Sequence, residues 1–565
     1  MKNFKELKEA LEIPKWMDEN GFKTLSNGYL LENETPKEMY KRVSKACASY
    51  YTDAGKWEEK FFNVLWNNWV GVASPILSNM GTKRGLPISC NSIHIADSID
   101  NIFIKNHELA MLSKHGAGVG IYIGDIRARG ANINGNGFSD GVIGWCKNYD
   151  STIVSVSQGS TRRGAAAVYL PIDHGDIDEF LNLRRPTGDL NRRCQNLNHG
   201  VCIDDGWMKA MLSGDKEKRQ RWQSLLLNRI ETGEPYIFFT DNVNNQNPEC
   251  YISNKLDVKT SNICTEIFLY TDPEHSFVCC LSSLNLTKWD EWKDTDTVEV
   301  ITRFLDAVIQ EYIVKSEGIP GLECSRRSAI KGRAIGIGVL GWHTLLQQNM
   351  IPFDSFEAMR LNNEIFKTIR ERAEKETAIL AKELGEPEWC KGHNRRNSHL
   401  LAVAPTVSNS LISGGYSPGI EPIAANIYSQ KSAKGTFIRK NPTLEQLLEK
   451  KEKNTIEVWK SINEKTGSVQ HLNFLTKEEK EVFLTAREIN QHAIIKQAAQ
   501  RQRWIDQGQS VNLFFASNSD PKYIHEVHIA AWESGLKTLY YCRSEGVIRG
   551  DLASRSKEEC SACEG

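Results

Sequence analysis

The run SNICTEIFLY places Asn262, Cys264 and Glu266 at alternate positions. In an extended segment alternate side chains share one face, so an amide, a thiol and a carboxylate would project together into one pocket. The same pattern also fits a half-exposed strand with incidental polar residues. Cys279 and Cys280 follow shortly after, ahead of LSSLNL, and Ser89-Cys90 ends the upstream stretch SNMGTKRGLPISC. Near the far end of the chain Tyr540 and Tyr541 are adjacent, and Cys560 and Cys563 form a C-x-x-C in a polar stretch. Paired tyrosines can carry an electron hole, although a Tyr-Tyr at a strand end equally suits core packing. A C-x-x-C dithiol can carry electron pairs. Single electrons on one route and pairs on another point away from hydrolysis and group transfer. No second cysteine cluster has the spacing of a zinc site, so no metal is expected on this chain.

A second set of residues suits phosphate. In LLAVAPTVSNSLISGG a strand-like run leads into a hydroxyl-rich turn, Ala404-Pro405-Thr406-Val407-Ser408-Asn409-Ser410, and then a helix start. Backbone N–H groups there, with the hydroxyls, could cradle an anion, and simple helix capping explains the pattern equally well. HGAGVGIYIG lacks the glycine spacing and following helix of a dinucleotide fingerprint. SVSQGSTRRGAAAVYLP combines Gly, Ser and two arginines ahead of a strand, as a nucleotide-responsive loop would.

The elements that must position these residues read as an α/β body. Helical patterns such as PKEMYKRVSKACASYY fill residues 1–85. From Leu86, short apolar runs (GVGIYIG, AAAVYLPI, HGVCI, EIFLY, AIGIGVLGW, LLAVAP) alternate with helical segments. NPTLEQLLEKKEKNTIEVWKSINEK reads as a solvated helix pair. Beyond residue 547 the composition turns polar and aperiodic, as in a mobile tail. The chain has 565 residues and a formal net charge of -1, which gives no electrostatic case for nucleic-acid binding. Its start has no apolar run long enough for a signal peptide or a membrane span. Fourteen scattered cysteines favour a reducing cytoplasm.

The ordered series PISC, ADSID, GAGVGI, SQGSTRRGAA, SNICTE, CLSSLNL, RAIGIGV, APTVSNSLISG, GIEP, KTLYY and a tail cysteine pair resembles the large, catalytic subunit of class I ribonucleotide reductase. The resemblance runs from about Ser74 to the end, and the number and order of the motifs carry it. It implies a helical region at 1–85, a ten-stranded α/β barrel with a central finger loop at 86–547, and a flexible redox tail at 548–565. It implies that Cys264 becomes a thiyl radical that takes hydrogen from C3′ of a ribonucleotide. Glu266 would be the base for the 3′-hydroxyl, and Asn262 would bond the sugar hydroxyls. Cys90 and Cys279 would supply two electrons and end as a disulfide, with Cys279 rather than Cys280 aligned to that role.

By the same resemblance, Cys560 and Cys563 would reduce that disulfide and be reset by thioredoxin or glutaredoxin. Tyr540 and Tyr541 would receive the radical from a metal-containing small subunit, so no cofactor is bound directly by this chain. Ser74, Ser89, Gly118 and the 404–410 turn would contact substrate. Asp97, Ile99 and Arg127 match a specificity site for ATP, dATP, dTTP or dGTP at a homodimer interface. Asn134 stands where the family often has a second arginine, and Gln158 and Arg162 lie in the relaying loop. Cys90 lies too near the start to leave room for an ATP-cone, so effector-directed specificity is expected without dATP shut-off. So compact a chain suits a small genome such as a virus's, with the protein acting in a bacterial host's cytoplasm. The alternatives are an adenosylcobalamin-dependent, class II-like reductase, a nucleotide-binding scaffold on a decayed reductase fold, and a non-radical dithiol oxidoreductase.

Overall fold

Alternation along the strands shows where the barrel has its inside. In the strand Ala165–Pro171, Ala165, Ala167 and Tyr169 belong to one buried cluster, while Ala166, Val168 and Leu170 belong to another. The strand Tyr236–Phe239 divides likewise, with Tyr236 and Phe238 on one side and Ile237 and Phe239 on the other. Both faces are buried, which is why these strands read as unbroken apolar runs rather than as alternating ones. The computed structural model describes residues 4–158, 162–432, 435–516 and 518–544.

Five strands, Cys90–His94, Gly118–Tyr122, Ala165–Pro171, Asn198–Ile203 and Tyr236–Phe239, lie parallel in that order. They form one half of the wall. The other half starts with Phe277–Asn285, which runs antiparallel to Cys90–His94 and parallel to Ile335–Leu340. It continues through two stretches joined by single parallel bridges, Ile337 to Leu401 and Val403 to Gln509. Tyr540 N–H then donates to Val511 O at 2.9 Å, and the strand Thr538–Leu539 pairs antiparallel with Tyr236–Phe239. Two five-segment parallel halves therefore meet at two antiparallel seams, and the ring closes with ten segments. The regular strands alone make a nine-stranded sheet. One of them, Val70–Val72, lies within the expected helical region and extends the edge of Phe277–Asn285 outside the ring.

Helices cover the outside. Thr297–Lys315 is buried almost all round, as a helix between a sheet and further helices must be; it packs on the Phe277–Asn285 and Ile335–Leu340 strands and on the helices Pro36–Ala48, Ala54–Trp66 and Phe356–Leu384. The Pro36–Ala48 helix starts with a reciprocal capping box between Thr35 and Glu38. The expected helix pair forms as Pro442–Lys450 and Ile456–Glu464, around a small core of its own that includes Leu444, Leu448, Trp459 and Ile462.

Two strand expectations fail. EIFLY is irregular, and LLAVAP contributes only bridge residues. EIFLY instead belongs to an irregular segment between Asn254 and Phe277 that enters the barrel and returns. The interior is crowded against it: a Cβ at Gly120 would lie 1.9 Å from Ser261 O, and one at Gly508 would lie 2.0 Å from the Phe268 ring. Glycine at both places is what admits the segment. Gly120→Ala is expected to displace the loop and lower turnover by roughly 10²-fold or more while the secondary structure persists. Circular dichroism beside a turnover assay checks this, and undiminished turnover would show that the loop is seated elsewhere.

Candidate active site

Asn262, Cys264 and Glu266 do come together, though through a turn rather than a pleated strand. Asn262 Oδ1 accepts the backbone N–H groups of Glu266 and Ile267 at 3.1 and 3.2 Å, and Thr265 takes a left-handed φ of 63°. A side-chain amide closing its own following backbone is a recognised turn device, and it outcompeted the extended conformation that the alternation suggested. The wall holds this turn by its carbonyls. Tyr169 Oη donates to Asn262 O (2.6 Å), Ser510 Oγ to Cys264 O (2.6 Å), Thr538 Oγ1 to Thr265 O (2.8 Å) and Gly508 N–H to Glu266 O (2.9 Å).

Glu266 is buried, and burial pushes its carboxyl up to about 7, although the nearby Asn262 amide, its own backbone and Ser510 favour the charged form. Ser510 Oγ lies 3.4 Å from Glu266 Oε2. Asn262 Nδ2 and Thr265 Oγ1 are buried without a hydrogen-bond partner in the protein, as donors kept for a ligand would be.

The pleat turns the two adjacent cysteines to opposite sides of the wall. Cys279 belongs to the interior cluster with Cys264, whereas Cys280 belongs to the outer core and its thiol faces Leu305 O on the Thr297–Lys315 helix at 3.4 Å. Cys279 is the register partner of Cys90 across the antiparallel seam. Residues directly opposite in such a pair have Cα atoms about 4.5–5.5 Å apart, inside the roughly 4.4–6.8 Å that a disulfide spans. Burial pushes the Cys279 thiol well above the ordinary range, and Gln507 Nε2, 3.5 Å from its sulfur, pulls the other way. Gly118 pairs with Cys90 on its other side, and its N–H donates to Ser89 O at 2.8 Å.

The expected phosphate turn opens the helix Val407–Ile412. Thr406 has a φ of 52° and its Oγ1 accepts from Gly419 N–H at 2.7 Å, with Ser410 Oγ at 3.2 Å. Asn409 sits against Gly71, just before Ser74. Ser74 Oγ is buried with no partner.

Tyr540 is buried in the interior cluster, Tyr541 packs on its edge, and their ring centroids are 4.4 Å apart. Asp97 and Arg127 form an ion pair at 2.6 Å. Ile99 begins an outer helix, Ile99–Lys114, and Asn134 lies exposed in a loop with a φ of 48°. Gln158 and Arg162 are register partners in a two-strand hairpin packed near that helix. Cys560 and Cys563 fall outside the described residues. Among the described residues no three His, Cys, Asp or Glu side chains converge as a metal site, and no helix is long and apolar enough to cross a membrane.

Tyr169, Gln507, Ser510 and Thr538, which brace the turn and Cys279, gave no sequence signal; neither did Tyr236 and Asn198, which touch the tyrosine pair. They come from separate segments and carry no local motif. Because the Glu266 carboxyl is raised from 4.5 to about 7, ionising it costs the folded state as pH rises through that window. Glu266→Gln, which stays neutral, is expected to gain thermal stability relative to the parent as pH rises from about 5 to about 8. A gap that does not change with pH would show an ordinary carboxyl.

Sequence profiles of two families match the chain. The one described as "Ribonucleotide reductase, barrel domain" covers residues 88–220, 216–395 and 387–542, and "Ribonucleotide reductase, all-alpha domain" covers residues 15–85. The ribonucleoside-diphosphate reductase large subunit of Invertebrate iridescent virus 3 is 34% identical, over 97% of this chain and 98% of its own. That of Vaccinia virus (strain Copenhagen) is 33% identical, over 93% of this chain and 77% of its own. The Actinobacillus ureae class Id ribonucleotide reductase alpha subunit superposes with a TM-score of 0.88 at 44% identity, over 95% of this chain and 99% of that one. With a barrel enclosing a cysteine finger, and with these relatives along nearly its whole length, the chain belongs to the ribonucleotide reductase family, as a large subunit of class I.

Proposed function

We propose that this chain reduces ribonucleoside diphosphates to 2′-deoxyribonucleotides, with Cys264 as the thiyl radical that opens and closes each turnover. The observation that carries this reading is the Cys90–Cys279 register pair in one interior site with the Cys264 turn. A metal-containing small subunit supplies a one-electron oxidising equivalent. Tyr541 gives up one electron and one proton to it, Tyr540 does the same for Tyr541, and Cys264 for Tyr540.

The Cys264 thiyl then takes hydrogen from C3′. Glu266 receives the 3′-hydroxyl proton, which requires the carboxylate form and is readily reversed near a pKa of about 7. Asn262 Nδ2 and Ser74 Oγ, the buried donors without protein partners, bond the sugar. Cys90 protonates the 2′-hydroxyl as it leaves as water. Cys279 supplies the hydrogen that replaces the hydroxyl at C2′, the two thiols together give two electrons and become a disulfide, Glu266 returns its proton to the 3′-oxygen, and Cys264 returns its hydrogen to C3′. Ser89, Gly118 and the Ala404–Ser410 turn bind the rest of the substrate. Cys560 and Cys563 then reduce the disulfide by exchange, and thioredoxin or glutaredoxin resets them.

Effector nucleotides (ATP, dATP, dTTP and dGTP) bind beside Asp97, Ile99, Arg127 and Asn134, and the Gln158–Arg162 hairpin relays their identity. Exposed Ile99, Phe103 and Ile104, with Val154 on the neighbouring helix Val142–Ser155, form the apolar face on which a homodimer would close. The reducing cytoplasm suits a long chain with fourteen scattered cysteines. With a small subunit, Cys264→Ser is expected to cut deoxynucleotide formation by roughly 10³-fold or more. Tyr541→Phe is expected to do the same, and adenosylcobalamin to replace the small subunit in neither the parent nor the variants. Normal turnover of Tyr541→Phe would overturn radical delivery through the pair.

A further inference from the structure

Neighbouring residues of an extended chain point to opposite sides, so two adjacent tyrosines need something to hold their rings together. Here that is a third tyrosine. Tyr236, on the wall strand Tyr236–Phe239, has its ring centroid 4.8 Å from Tyr540 and 5.1 Å from Tyr541. Its hydroxyl lies 2.8 Å from Asn198 Nδ2, and the same nitrogen lies 3.0 Å from Tyr541 Oη and 2.6 Å from Glu234 Oε1.

Glu234 decides which way the Asn198 amide faces. It is buried, pairs with Arg184 at 3.4 Å, and accepts from His199 N–H at 3.0 Å, with His199 Nδ1 at 3.1 Å. Burial works to raise its pKa, but the Arg184 charge and the His199 contacts prevail and hold the carboxyl below its usual value. An ionised carboxylate only accepts, so the nitrogen of Asn198, not its oxygen, must face Glu234. One N–H is spent there, and the other is shared between the two tyrosine oxygens.

The direction of that second bond matters. When Tyr541 loses an electron and a proton to the arriving radical, a hydrogen bond donated by its hydroxyl would vanish. One donated to its oxygen remains, because a phenoxyl oxygen still accepts. We infer that Asn198, oriented by Glu234 and shared with Tyr236, fixes the Tyr541 oxygen through both its phenol and phenoxyl states, and that Tyr236 is a positioning residue for the relay. The inference rests on the proposed radical role of Tyr540 and Tyr541.

The test uses the full chain with its small subunit, substrate and effector, and with 3-aminotyrosine at position 541 as a one-electron trap read by high-field electron paramagnetic resonance. A hydrogen bond to a phenoxyl oxygen lowers its largest g value. Asn198→Leu is expected to raise that g value. Tyr236→Phe keeps the ring but releases the shared N–H wholly to residue 541, so it is expected to lower it. In chains with the natural Tyr541, Asn198→Leu is expected to reduce kcat by roughly 10²-fold with KM unchanged. A trapped radical whose g value is the same in the parent and both variants would overturn the inference alone. No trapped radical with Asn198 and Tyr236 intact would overturn the relay reading and the inference with it.

Discussion

A backbone that leaves regular structure inside a barrel must still have its polar groups satisfied, because a buried unpaired carbonyl costs about as much as a lost hydrogen bond. The turn around Cys264 meets this constraint through the wall. Carbonyls of Asn262, Cys264, Thr265 and Glu266 are each bonded from Tyr169, Ser510, Thr538 and Gly508. These four supports come from three parts of the ring, and the glycines at 120 and 508 clear the space. The position of the cysteine is thereby a property of the closed ring and not of the loop.

The same enclosure also buries titratable groups of the site. Burial raises both the Glu266 carboxyl and the Cys279 thiol, so the thiol stays neutral while the carboxyl stands between its two forms. A neutral thiol is the form that hydrogen-atom exchange with a carbon-centred radical requires, and a carboxyl near 7 can take and return a proton at little cost. The antiparallel seam fixes two more thiols. It sets Cys90 and Cys279 opposite each other on one face, while the pleat sends Cys280 outward to a helix.

Much of this was legible in the residues. The apolar runs at 118–122, 165–171, 198–203 and 335–340 are strands, because a parallel wall buried on both faces needs such runs. The order of the weak motifs disclosed the reductase resemblance, and the pleat supports the alignment that preferred Cys279. Other features were hidden. The alternation of Asn262, Cys264 and Glu266 suggested a strand, but Asn262 folds back on the backbone of Glu266 and Ile267. EIFLY has strand-forming residues and is held in an irregular path by the barrel around it. Asn198, Tyr236 and Gln507 gave no sign, since their roles exist only when distant segments meet.

If the proposed chemistry holds, the Cys264 turn works on a substrate held beside the Cys90–Cys279 pair. A single-turnover experiment tests it most directly, with the small subunit, no external reductant, and both tail cysteines replaced by serine. Deoxynucleotide is counted per active site, and peptide mass spectrometry locates any new disulfide. One deoxynucleotide is expected for each Cys90–Cys279 disulfide formed. Product without that disulfide, or a disulfide made through Cys280, would contradict the proposed chemistry.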